Sequence, residues 1–178
     1  MSRQYFADVL VDGPIANLTA VTATTETGLW NVNNYSPIPA NDCRPGKIYR
    51  LTAGGILSTA GSGTLIITPR FGTSTGGTTL GASVTQTVPI NLTNVPWRLQ
   101  FDLVCRTVGA PGANSTVIGT GSFHSAGAAA TAGSGFQLTF GGTSGTVDVS
   151  VASGIFIGWT LSVAGSCTPQ YVVMQSLN

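Results

Sequence analysis

From Pro96 to Val108 the chain alternates residue by residue. Trp97, Leu99, Phe101, Leu103 and Cys105 form one series, and Arg98, Gln100, Asp102 and Arg106 form the other, with Val104 interrupting the polar set. A helix would gather apolar residues at spacings of three and four, whereas a strand sends successive side chains to opposite faces. The segment therefore reads as a strand with one buried face. Arg98, Asp102 and Arg106 then share a face but lie four residues apart, roughly 13 Å at the rise of a strand. Any ionic partners must come from neighbouring strands.

The same period of two recurs along the chain and is punctuated by turn residues. Residues 18–24, 47–56, 64–71, 83–88, 115–124, 135–140, 146–151, 155–163 and 171–177 read as further strands, about ten in all. Between them stand Gly72-Thr73-Ser74-Thr75-Gly76-Gly77, Gly109-Ala110-Pro111-Gly112, the Ala-rich 127–133 and Gly141-Gly142-Thr143-Ser144-Gly145, read as turns and loops in which glycine supplies positive φ. No segment reads as a helix. This pattern predicts an all-β fold, an antiparallel, jelly-roll-like β-sandwich. Residues 18–178 form a single domain, and residues 1–17 are either an N-terminal arm or its first strand. Tyr5, Phe6, Val9 and Leu10 are the residues through which such an arm would touch a partner.

Only 7% of the 178 residues are charged, against about a quarter in an ordinary soluble domain. Beyond Arg106 the chain holds one formal charge, Asp148, and one histidine, His124. A surface of Thr, Ser, Asn, Gly and small apolar groups suits packing against other subunits. A net charge of +1 gives no electrostatic footprint for nucleic acid, and no apolar run reaches the roughly 18 residues of a membrane helix. The first residues lack the apolar h-region of an export signal, so the chain is expected to be made and used without secretion. Cys43, Cys105 and Cys167 lack metal-ligand spacing and are expected to be buried, reduced thiols. With one lysine in the chain, sheet edges need closure, loop cover or a neighbouring subunit. Trp97 and Trp159 fall in alternating segments and are expected in the core.

Catalytic patterns are weak. His124 is the single candidate base for Ser-His-Asp chemistry, flanked by Ser122 and Ser125, and no sequence signal selects Asp102 or Asp148 as its third member. No G-x-S-x-G elbow is present. Glu26 and the five aspartates form no recognisable pair for glycoside hydrolysis. Around Gly46-Lys47, Asn41 stands where a phosphate-binding loop needs glycine, and Ile48 stands where it needs Ser or Thr. The reading is a non-enzyme with no cofactor and no metal.

Several stretches resemble small virion proteins of tailed phages of actinobacteria and their relatives. They are Pro39-Ala40-Asn41-Asp42-Cys43-Arg44-Pro45-Gly46-Lys47-Ile48-Tyr49-Arg50-Leu51-Thr52-Ala53-Gly54-Gly55, Thr68-Pro69-Arg70-Phe71-Gly72, Asn94-Val95-Pro96-Trp97-Arg98-Leu99 and Val117-Ile118-Gly119-Thr120-Gly121. The resemblance covers roughly residues 20–178, on the scale of one domain. It implies a jelly-roll-like sandwich on the virion, assembling with itself, most often as a trimer. The expected function is capsid decoration: a cement protein on the major capsid protein, reinforcing contacts between capsomers. The alternative is a tail-associated or receptor-binding module that recognises host carbohydrate through aromatics such as Trp30 or Tyr35. Phe156 and Trp159, on opposite faces of the 155–163 segment, are the candidates for dividing one strand between the core and a subunit interface.

Overall fold

The computed structural model describes residues 8–11, 18–29, 37–83, 85–112, 114–127 and 135–177. Among them are twelve strands and no helix. The strands are β1 (Asp8–Val11), β2 (Thr27–Gly28), β3 (Pro37–Ile38), β4 (Ile48–Thr59), β5 (Gly63–Phe71), β6 (Thr78–Thr79), β7 (Gln86–Val88), β8 (Val95–Thr107), β9 (Ser115–Ser125), β10 (Phe136–Val147), β11 (Ser153–Leu161) and β12 (Gly165–Leu177). They form two antiparallel sheets. The longer-stranded sheet runs β1-β12-β4-β8-β9-β10, and the second runs β2-β11-β5-β6, with β3 also on β11 and β7 also on β5. The chain is the β-sandwich that its alternation predicts.

β8 shows why the pattern works. Trp97, Leu99, Phe101, Leu103 and Cys105 are buried between the sheets, while Arg98, Gln100, Asp102 and Val104 face outward. Opposite them on β9, the inward series is Val117, Gly119, Gly121 and Phe123. A side chain on Gly119 would strike the Phe101 ring, and one on Gly121 would meet both the Phe140 and Phe101 rings. The two glycines therefore leave room for Phe101 and Phe140, which stack 6.0 Å apart. Phe123 contacts Trp159 of the second sheet at 5.6 Å, an aromatic link through the middle of the core.

The structure departs from the sequence reading where polar or glycine-rich stretches decide the path. Residues 18–24 form no strand: Val21 makes a single bridge to Cys167, because Leu18 and Val21 are the only larger apolar groups there. The Gly141–Gly145 stretch, expected as a turn, lies within β10. Gly141 takes φ +126°, and the ladder to β9 shifts register between Thr143 and Thr146, a bulge that absorbs the irregularity without ending the strand. What reads as a separate strand at 146–151 is the end of β10 followed by a turn, closed where the Ser150 amide and hydroxyl both donate to Asp148 Oδ1. The 83–88 strand shortens to β7. β12 begins earlier than expected, passing Pro169 through a second bulge.

The N-terminal alternatives resolve in part. Asp8–Val11, which includes the backbone of Val9 and Leu10, pairs with β12 as an edge strand. Tyr5 and Phe6 lie outside the described residues, as do Trp30, Tyr35 and positions 128–133 of the Ala-rich stretch.

Candidate binding face

Cys43, Cys105 and Cys167 are buried and unbridged, as their sequence context predicts. Cys43 and Cys105 share a hydrogen bond; that bond and burial push the Cys105 thiol up, while burial alone raises Cys167. Among the described residues no three His, Cys, Asp or Glu side chains gather as metal ligands.

Charge is spent locally. Glu26 accepts from Arg70 Nε and Nη2, both at 2.9 Å, and Arg70 Nη1 also reaches Gly77 O and Thr79 Oγ1. Asp42 accepts from Lys47 Nζ at 2.6 Å and from the Tyr49 hydroxyl at 2.8 Å. Burial acts to raise the Asp42 carboxyl, but the bonds from Lys47 and Tyr49 and the charges of Lys47 and Arg44 hold it below its ordinary value. Arg50 donates from Nε and Nη2 to the two oxygens of Asp102, each at 2.8 Å. Arg50 and Asp102 are register partners on β4 and β8, so the ionic partner of Asp102 does come from a neighbouring strand. Among the described residues Arg98 and Arg106 make no ion pair.

Arg98 instead stands directly across from His124 on the outward face of β8 and β9. One pair along the ladder, Gln100 faces Ser122. These four side chains line a shallow cavity of about 110 Å³. The register extends the two rows across five strands. The first runs Tyr171, Gly54, Arg98, His124, Gln137, and the second runs Val173, Thr52, Gln100, Ser122, Thr139. Tyr171, an exposed aromatic residue, lays its ring over Gly54, in the space a side chain there would occupy. The face is thus flat, open and rich in hydrogen-bonding groups, with one aromatic surface and one unpaired guanidinium.

It is poorly arranged for hydrolysis. Ser122 and His124 are two residues apart on the same face of one strand, so their Cα atoms are separated by roughly 7 Å. Among the described residues no carboxylate hydrogen-bonds His124; Asp102 is held by Arg50, and Asp148 by Ser150. Ser122 and His124 line one cavity with Arg98 and Gln100.

Phe156 and Trp159 do not divide between core and interface. They are 4% and 0% exposed, both closed off by the chain itself. Trp159 faces the opposing sheet. On the other side of β11, Glu26 lies against Gly158, and Arg70, the register partner of Phe156, reaches over to Glu26.

No protein-family model matches this chain, and neither a curated protein nor a solved structure does. The resemblance to phage virion proteins rests on the quoted stretches of sequence.

Proposed function

We propose that the chain is a structural subunit of a phage virion, a capsid decoration protein that assembles with itself, as a trimer, and binds the major capsid shell. The observation that carries the assembly part is the outer edge of β10. Strand β10 ends the longer-stranded sheet, and no described strand pairs with its far side. It contains neither charge nor proline along its length, and its segment from Phe136 to Phe140 keeps regular register with β9. Monomeric sheets normally blunt such an edge with lysine, proline or a covering element. A subunit partner that continues the ladder, or lies across it, would satisfy the exposed backbone groups. The shell-binding part is supported by the sequence resemblance. Purified protein mixed with undecorated capsids should cosediment with them, and sedimentation of the protein alone should give a closed oligomer. A stable monomer at micromolar concentration that leaves the capsids bare would overturn the proposal.

A second reading, a module that recognises host-surface carbohydrate, is favoured by the open polar face. Trp30 and Tyr35 lie outside the described residues, and Tyr171 is the aromatic residue positioned to stack on a sugar. Immunogold labelling of intact particles separates the readings: label on the head supports decoration, and label on the tail supports recognition.

A further inference from the structure

We propose that the outward face of β12, β4, β8 and β9 binds an anionic saccharide, with Arg98 holding the acid group and Tyr171 stacking on the sugar ring. The inference rests on the carbohydrate reading and adds the charge class of the ligand and the residue that selects it.

The first argument is charge accounting. The described carboxylates Glu26, Asp42 and Asp102 are each occupied by one cation, Arg70, Lys47 and Arg50 in turn. Asp148 is occupied by Ser150. Among the described residues Arg98 has no such partner, and the one acid on its strand, Asp102, two outward positions further along β8, is already neutralised by Arg50. A guanidinium offers planar, paired donors that match a carboxylate or a phosphate. Among the described residues no acid is placed to fill them.

The second argument is the company Arg98 keeps. His124, Gln100 and Ser122 enclose the same cavity, and each can donate to an anion or a hydroxyl. At about 110 Å³ the cavity holds an acid group, not a whole sugar ring. The ring must therefore lie on the sheet beside it. Toward β12 the next position in the row is Gly54, and the Tyr171 ring lies over it, in the space a side chain there would take. From β4, over which that ring lies, to β8 is one strand spacing, roughly 5 Å. A sugar stacked on Tyr171 can cover that span and direct its acid group at Arg98. An apolar ligand would leave the cavity's polar groups unpaired, and a neutral sugar would leave the guanidinium without its counter-charge.

Titration calorimetry of the intact protein with oligogalacturonate, with a hexose phosphate and with a neutral galactose oligomer tests this. The two acidic probes identify whether carboxylate or phosphate is the preferred acid group, and binding of either supports the proposal when the neutral oligomer binds at least about tenfold more weakly. R98A should then weaken acidic binding by about tenfold or more, whereas R106A, which removes the same charge from the bulge at the far end of β8, should leave it within about twofold. Y171A should weaken oligogalacturonate more than the hexose phosphate, because the oligomer offers more ring surface to stack. Equal losses in R98A and R106A would overturn the site in favour of diffuse attraction. Equal binding of the neutral oligomer would overturn the charge class while leaving carbohydrate recognition standing. No binding by any of the three probes would overturn both. Unchanged thermal unfolding of R98A and R106A ensures that the comparison reads binding.

Discussion

β8 and β11 are both central strands of the same sandwich, yet only one of them has an outside. Along β8, buried and accessible positions alternate, so half of its side chains are available to solvent or ligand. Along β11, Gly154 to Trp159 are buried without interruption. The difference comes from what covers the second face. Glu26 and Arg70 close over Gly158 beside Phe156, with β2 paired to the strand at Gly158 and Trp159. Over β8 no described residue lays down a comparable cover, and its outward row remains a surface.

The largest expected effects test whether β11 is sealed on both sides. W159A and F156A should each cost about 3–5 kcal/mol in chemical denaturation, as for truncation of a buried aromatic group. Q100A, on the outward face of β8, should stay within about 0.5 kcal/mol. If F156A behaved like Q100A, the two strands would not differ in the way described.

Next in size is a comparison of two bidentate ion pairs. E26Q weakens the pair over β11, where the Arg70 side chain is 17% exposed, and should cost about 1–3 kcal/mol. D102N weakens the pair on the open face, where Arg50 is 39% exposed, and should cost about 0–1 kcal/mol. Equal costs in thermal and urea unfolding would show that the cover contributes little shielding.

Acid unfolding gives a smaller, pH-limited effect from the turn that leads into β4. The Asp42 carboxyl is depressed in the folded chain, so its contribution is present above its ordinary value of 3.8 and is lost as pH falls through the lower folded-state value. D42N should lower stability near neutral pH and flatten that part of the stability profile. An unchanged slope on acidification would show that the Lys47 and Tyr49 bonds do not govern it. The smallest effect concerns Ser125, whose buried hydroxyl has no partner among the described residues. S125A should leave unfolding within about 0.5 kcal/mol or raise stability, because it removes a desolvated polar group. A loss well above that value would reveal a partner.

Much of this contrast could be seen in the residue pattern, and part of it could not. The alternation of β5, β8 and β9 locates those strands to within one residue at nearly every end. β10 was divided at Gly141–Gly145 because glycines normally announce a turn; whether they form a turn or a bulge depends on β9 beside them. β2, β3 and β6 are two residues long and carry no periodic signal. For the face, Ser122 and His124 stood out by residue type, and Arg98 by charge. Their convergence follows from the β8–β9 register, which no single strand contains. Tyr171 was missed because it reaches Gly54 through the bulge between Pro169 and Tyr171. Phe156 was misplaced for a related reason: Glu26 and Arg70 are distant in sequence, and only the folded chain sets both against β11.

The position of β12 has a consequence for synthesis. This last strand lies inside its sheet, between β1 and β4, and pairs along almost all of β4. Until residues 165–177 have left the ribosome, β1 has no neighbour and one side of β4 stays bare. The sheet therefore stays unfinished while residues 8–164 emerge, and it closes only once β12 has followed them. A charge-poor chain is exposed to aggregation during that interval. Its yield in a cell should depend on how quickly the final strand arrives.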